Sequence, residues 1–104
     1  MPLTRDFKET ILERARRDAA FREALLREAV DALLSGDVET GKTVLRDYIN
    51  ATVGFDALAT VTKKSPKSLM RMLGPKGNPQ ARSIFEIVAY LQKKEGLHLK
   101  VRSA

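Results

Sequence analysis

Apolar residues recur every three or four positions through most of this chain, which is the spacing of helices that bury one side. In the first segment Phe7, Ile11 and Ala15 are separated by charged residues. Asp6 and Glu9 have the spacing of an acidic pair at a helix start. The pattern therefore predicts an amphipathic helix over about residues 6–17.

The next two apolar stripes predict two further helices, each with an aspartate as its N-cap. Asp18 precedes a wide stripe of Leu, Ala and Phe that stops at Gly36, where glycine suits a left-handed residue after a helix. Asp37 precedes a third stripe, which we expect to end at Gly54.

Three more helices are predicted in the second half of the chain, two short and one longer. A short apolar stripe indicates a helix over residues 55–62. Ser65 is a good N-cap, and Pro66 falls at the first helical position, where its missing N–H costs nothing. We therefore expect a second short helix over residues 66–73. After a turn rich in Gly and Pro, residues 81–95 have the core spacing of a longer helix.

The apolar period changes at the C-terminal end. Residues 97–102 alternate apolar and polar side chains, which is typical of a β-strand. A single strand leaves its edge without a partner, and this chain offers no second strand candidate. We therefore expect a short C-terminal strand that pairs with a symmetric copy, which favours a homodimer.

These elements predict an all-α protein, with five or six helices around one core and the short strand in addition. Residues 1–36 are expected to form an N-terminal helical extension packed on that core. Residues 37–104 are expected to form a helix-turn-helix DNA-binding domain, because two short helices, a tight turn and a longer helix are typical of that motif.

Composition excludes several classes of protein. A chain of 104 residues suffices for one domain, and the absence of cysteine excludes a disulfide scaffold and a thiolate metal site. No apolar run reaches the length of about 18 residues that a membrane span needs, and the first residues lack the apolar core of a signal peptide. We expect a cytoplasmic protein with no membrane role.

Positive charge is concentrated in the second half. The formal net charge is +6, but residues 1–60 contain nine Lys or Arg and eleven Asp or Glu, whereas residues 61–104 contain ten and two. No acidic residue occurs between Asp56 and Glu86. Such a field attracts a polyanion and makes its binding depend on salt. A solvated basic face is the simpler alternative, but the length of the acid-free run favours nucleic acid.

The second short helix divides into a leucine side and a basic side. Leu69 and Leu73 are four residues apart, so they share one side and are expected to pack inward. The opposite side carries Lys67, Ser68 and Arg71, with Pro66 at its tip. A helix that presents such a side to the major groove can read guanine edges and neutralise phosphates. The alternative is a surface helix whose basic residues meet only solvent.

Three motifs carry a resemblance to a known family. They are Leu58-Ala59, then Ser65-x-x-Ser68-Leu69-x-Arg71-x-Leu73 followed by Gly74-Pro75-Lys76-Gly77-Asn78-Pro79, and last Leu97-x-Leu99-x-Val101. On these motifs, residues 45–101 resemble the addiction-module antidote proteins. These are antitoxin-type transcriptional regulators with a Cro- or phage-repressor-like helix-turn-helix. In that family's turn a glycine is followed by an apolar residue, where this chain has Lys63-Lys64.

The resemblance implies a lambda-repressor-like domain that acts as a homodimer on a palindromic operator in double-stranded DNA. It also implies a repressor of its own promoter and a cognate toxin as protein partner. The recognition helix would begin at Ser65. The residues predicted to bind DNA are Lys63, Lys64, Ser65, Pro66, Lys67, Ser68, Arg71 and Lys76.

The remaining motifs do not indicate an enzyme. The Gly74-to-Pro79 stretch lacks the spacing of a nucleotide-binding loop, and we interpret it as a rigid turn that brings Lys76 beside a DNA phosphate. With one histidine and no cysteine, the chain shows no nucleophile with a base and no metal-binding motif. We therefore expect no catalytic activity, no metal and no cofactor.

A second function remains open on the sequence. The first two amphipathic helices, within residues 6–35, could dock on a toxin or on another subunit. The protein would then be a partner-binding module without significant DNA binding.

Overall fold

The computed structural model describes the backbone of residues 2–103 and the side chains of residues 7–103. These residues form six helices, which confirms the all-α prediction. The helices are α1 (Pro2–Arg17), α2 (Ala19–Leu34), α3 (Val38–Ala51), α4 (Gly54–Thr62), α5 (Pro66–Met72) and α6 (Ala81–Glu95). None of the six is long and apolar enough to span a membrane.

The predicted N-caps fix three of the helix starts. The Asp18 carboxylate accepts a hydrogen bond from the Phe21 N–H at 3.1 Å. The Asp37 carboxylate accepts one from the Thr40 N–H at 3.2 Å. This interaction with Thr40 favours the ionised carboxylate and lowers the pKa of Asp37. The Ser65 hydroxyl accepts one from the Ser68 N–H at 3.1 Å. Each cap satisfies an amide that the first helical turn leaves without a partner.

The start of α1 differs from the prediction. The helix begins at Pro2 rather than near Asp6. Asp6 therefore lies inside the helix, and its side chain is outside the described part of the chain. Proline is well tolerated in a first helical turn, where its missing N–H leaves no intrahelical bond unmade.

One hydrophobic core extends from α2 to α6. Its fully buried side chains include Leu26 of α2, Leu45 of α3, Leu58 of α4, Leu69 of α5 and Leu91 of α6. α1 adds Ala15, which is also fully buried. The core therefore crosses the boundary at residue 36, and the division into an extension and a DNA-binding domain stays a prediction.

The predicted C-terminal strand is wrong, since residues 97–103 contain no strand. Leu97 and Leu99 pack against the core, while His98 and Lys100 are exposed. The Leu99 N–H donates a hydrogen bond to the Gln92 side-chain oxygen at 2.6 Å. An alternating pattern requires only that one side of the segment is packed and the other is solvated. A tail that lies on the helices meets both requirements without forming a strand. Residues 97–103 therefore give no support to a strand-paired copy, and the homodimer rests on the resemblance alone.

A polar cluster ties four helices together around Glu95. The Tyr48 hydroxyl donates to Glu95 Oε1 at 2.6 Å, and Arg22 Nε lies 3.0 Å from Glu95 Oε2. Arg22 Nη1 also donates to the Ala15 carbonyl at 2.8 Å. Burial of the phenol, together with its bond to Glu95, raises the pKa of Tyr48 far above its ordinary value. The folded state therefore holds this tyrosine as the neutral phenol.

We predict that Tyr48→Phe lowers the free energy of unfolding by about 1–2 kcal/mol, because the carboxylate loses one charge-assisted hydrogen bond. The folded-state pKa of Tyr48 is raised, so its contribution is complete below pH 10.0 and is lost as the pH rises beyond it. Urea unfolding on both sides of pH 10.0 should therefore show a smaller alkaline loss for this variant than for the wild type. An equal alkaline loss in both proteins would contradict the role assigned to Tyr48.

Candidate nucleic-acid interface

The turn between α4 and α5 contains the one described non-glycine residue with a positive φ. Lys63 has φ 60° and ψ 31°, and its N–H donates to the Ala59 carbonyl at 2.9 Å. Glycine adopts this left-handed conformation at no steric cost, whereas a residue with a Cβ is strained there. The turn therefore has a glycine-like backbone, although the sequence places lysine at this position.

We predict that Lys63→Gly raises the free energy of unfolding by about 0.5–1 kcal/mol. Removing the left-handed strain gains about 1–2 kcal/mol, and the extra freedom of glycine in the unfolded chain cancels about half of that gain. Thermal unfolding measures the difference. Lys64→Gly is the matched control, because Lys64 has no positive φ and should not be stabilised. A less stable Lys63→Gly variant would contradict this prediction.

α5 has the two sides that its sequence predicts. Leu69 and Leu73 are buried and belong to the same core cluster as Leu58 of α4. Lys67, Ser68 and Arg71 are exposed, and we name these three residues the basic side of α5. The leucines hold the helix on the core, so the basic side is free to meet another molecule.

Five basic side chains around α5 have no partner among the residues whose side chains are described. The acid-free run contains six basic residues, and Arg82 forms an ion pair with Glu86 at 3.3 Å. The other five side chains make no ion pair or hydrogen bond with residues 7–103; they are Lys63, Lys64, Lys67, Arg71 and Lys76. By contrast, five basic residues of the first half are paired with acids: Arg14, Arg17, Arg22, Arg27 and Lys42. Five unpaired cations therefore lie before, on and after α5 with no acid between them in the sequence, and further unpaired basic side chains lie on α6 and in the C-terminal tail.

The eight residues predicted to bind DNA lie in three consecutive segments. They occupy the turn before α5, the helix itself and the loop after it. Seven of them are exposed, and Pro66 is half-buried. Ser65 and Ser68 are joined through the N-cap bond, in which Ser65 Oγ is the acceptor. The Ser65 hydroxyl proton is not used in that bond and can still be donated to an anion.

The loop after α5, residues 74–79, is held tightly against the end of that helix. The Gly77 N–H donates to the Gly74 carbonyl at 3.0 Å. A Cβ at Gly77 would collide with the carbonyl oxygens of Arg71 and Met72. Only glycine allows this close approach of loop and helix. The loop therefore carries Lys76 at a fixed place beside α5.

A buried lysine fixes the same loop from inside the protein. The Lys42 side chain is almost fully buried, and its ammonium group donates to the carbonyls of Gly74 at 3.0 Å and Gly77 at 2.8 Å. It also lies 3.0 Å from a carboxylate oxygen of Glu39. A buried ammonium group is tolerated only when its N–H donors are satisfied, and the loop carbonyls do this.

Lys42 is a functional residue that the sequence patterns above do not predict, although the sequence contains a signal for it. Lys42 lies three residues before Leu45 and seven before Ile49, on the apolar stripe of α3. A lysine at a core position must find buried acceptors. Its partners lie 32 and 35 residues further along the chain, where helical spacing gives no information.

No group of three or more His, Cys, Asp or Glu that could hold a metal occurs in the described part of the chain. The single histidine, His98, is exposed in the C-terminal tail. The chemistry available around α5 is therefore that of cations, hydroxyls and backbone amides, which suits an anionic ligand.

Comparisons with known proteins find no match: no family model, curated protein or solved structure is significantly similar to this chain. The resemblance to addiction-module antidote proteins therefore stays a prediction from the sequence motifs. The same holds for the lambda-repressor-like form of the helical fold.

Proposed function

We propose that the protein is a sequence-specific DNA-binding transcriptional regulator that acts as a repressor. In this proposal α4, the turn and α5 form a lambda-repressor-like helix-turn-helix, with α5 as its recognition helix. The observation that carries the proposal is a set of five cations, on and beside a short helix anchored by buried leucines, that have no partner in the described part of the chain. A polyanion is the partner that such a surface fits best.

The basic side of α5 has the chemistry for reading a major groove. Arg71 can donate two parallel hydrogen bonds to the O6 and N7 atoms of a guanine, and Lys67 can donate to the same acceptors. The two residues are four apart and thus one helical turn apart, so both can reach the base edges together. Lys63, Lys64 and Lys76 would contact the phosphate backbone and set the orientation of the helix.

We further propose that the regulator is the antitoxin of a toxin–antitoxin pair and binds its operator as a homodimer. This part rests on the sequence resemblance. It requires a toxin gene next to the gene of this protein. It also requires a particle of twice the chain mass in light scattering, because a palindromic operator presents two equal half-sites. A monomer in solution that stays a monomer on DNA would contradict the dimer.

A partner-binding module is the second candidate function, and the N-terminal helices support it. Phe7 is 65% exposed and lies beside an apolar groove between α1, α2 and α3. The groove has a volume of about 470 Å³ and is lined in part by Ile11, Phe21, Leu25 and Val44. Exposed apolar surface of this kind favours a protein partner.

One pair of experiments separates the two functions. A gel shift with the DNA upstream of the protein's own gene should show a specific complex that excess unrelated duplex does not remove. Affinity purification from the native cells tests for a stoichiometric protein partner. A partner without any shift of the upstream DNA would support the module and contradict the regulator.

A further inference from the structure

We infer that Arg46 of α3 joins Lys76 in a phosphate site at the C-terminal end of α5. This inference rests on the proposed DNA binding and extends it to a residue outside the acid-free run. The ligand is a phosphate group of a nucleic-acid strand beside the groove that α5 reads.

The site is an open cavity of about 490 Å³. Its lining residues are Arg46, Met70, Arg71, Gly74, Pro75 and Lys76. Most of the exposed lining is apolar, but three of the six residues are basic and none is acidic, so the net positive charge favours an anion over a cation. In the proposed function Arg71 donates to base edges, so Arg46 and Lys76 are the two cations available to a phosphate, which accepts charge-assisted hydrogen bonds from both.

Arg46 is positioned by the end of α5 itself. Its Nη1 donates to the Leu73 carbonyl at 3.4 Å, and its side chain is half-buried. Arg46 forms no ion pair with any described residue. A guanidinium group has five N–H donors, and this single long bond leaves most of them unused. Arg46 therefore lies at the cavity, and its charge and most of its donors stay available.

The floor of the cavity is fixed before any ligand binds. Gly74 lines the cavity, and its carbonyl accepts a hydrogen bond from the buried Lys42 ammonium at 3.0 Å. Lys76 lies between Gly74 and Gly77, which are the two residues that Lys42 holds. A preorganised site loses less entropy when its ligand is ordered, so the phosphate contact gains affinity from Lys42.

The position of the cavity fits a helix that lies in a major groove. α5 has seven residues, which corresponds to a length of about 10 Å, and a major groove is about 12 Å wide. Lys63 and Lys64 precede the N-terminal end of α5, and the cavity lies at its C-terminal end. Cations at both ends of the helix can reach phosphates on both strands that flank the groove.

Fluorescence anisotropy over a range of salt concentrations tests the inference. The variants are Arg46→Gln, Arg46→Lys and Lys76→Gln, and Arg102→Gln is a charge-matched control in the exposed C-terminal tail. The probes are a labelled duplex from the upstream region and a random duplex of equal length. Circular dichroism establishes that each variant is folded.

Arg46→Gln and Lys76→Gln should each lower the steepness of log Kobs against log salt by about 0.9, the value for one phosphate contact. The loss should be equal for both duplexes, because phosphates carry no sequence information. Arg46→Lys keeps the charge and should keep the wild-type slope. Arg102→Gln should leave the slope unchanged.

An unchanged slope for Arg46→Gln would overturn the inference and leave the proposed DNA binding intact. If that variant does not fold, an unchanged slope for Lys76→Gln decides against the cavity in the same way. A loss confined to the upstream duplex would assign Arg46 to base reading instead. A labelled polyglutamate peptide is a third probe. If the wild type binds it and Arg46→Gln does not, while that variant binds both duplexes normally, the cavity belongs to an acidic protein segment and the inference is overturned. A wild type that binds neither duplex would overturn both proposals.

Discussion

Lys67→Ala and Arg71→Ala should each weaken binding of the upstream duplex by about 1–3 kcal/mol, which is about 5- to 150-fold. Both side chains are exposed on the basic side of α5 and have no partner within the described residues. Each alanine removes the donors that would reach base edges. Fluorescence anisotropy with the upstream and random duplexes measures the loss, which should be larger for the upstream duplex.

Two controls make this result specific to the basic side of α5. Lys94→Ala removes an equal charge from an exposed position on α6 and should change the affinity much less than Lys67→Ala does. Thermal unfolding should show that the α5 variants are as stable as the wild type, because exposed side chains away from packing contribute little. A Lys67→Ala/Arg71→Ala double variant that binds the upstream duplex like the wild type would contradict the assignment of this surface.

Lys42→Met should lower the free energy of unfolding by about 1–3 kcal/mol. Methionine preserves most of the apolar stem but has no donor, so the Gly77 carbonyl loses its Lys42 partner, whereas the Gly74 carbonyl keeps the hydrogen bond from the Gly77 N–H. An unsatisfied buried carbonyl costs about 1–3 kcal/mol. Urea unfolding measures the effect. We also expect weaker DNA binding under conditions in which the variant is folded, because the loop that carries Lys76 is no longer held.

Glu39→Gln is the matched control for Lys42. The Glu39 side chain is 69% exposed, and its ion pair with Lys42 should contribute less than about 1 kcal/mol. A Lys42→Met variant as stable as the wild type would show that the loop does not depend on the buried ammonium group. An equal loss of unfolding free energy in Lys42→Met and Glu39→Gln would show that the ion pair, and not the bonds to the loop carbonyls, provides the stabilisation.

The sequence predicted the parts of the fold that depend on local spacing. Asp18, Asp37 and Ser65 are N-caps, as expected, because capping is decided within four residues of the chain. The two sides of α5 are also local, since Leu69 and Leu73 differ from Lys67 and Arg71 only in their position around one helix. The helical period of the sequence is therefore sufficient to predict the basic side of α5 without any tertiary contact.

The prediction was wrong where the structure depends on the rest of the fold. The alternation of residues 97–102 was interpreted as a strand, but the same pattern is satisfied by a tail that packs Leu97 and Leu99 on the helices. The cluster around Glu95 was missed for a related reason. Its partners Tyr48 and Arg22 lie 47 and 73 residues away, so only the folded chain brings them together.

The central claim is that the basic side of α5 lies against duplex DNA, and an NMR titration tests it most directly. Amide signals of uniformly ¹⁵N-labelled protein would be followed as the upstream duplex is added. We predict that the largest shifts fall within residues 63–77, with small changes in α1 and α2. Unmoved signals in residues 63–77, with shifts confined to α1 and α2, would contradict the account.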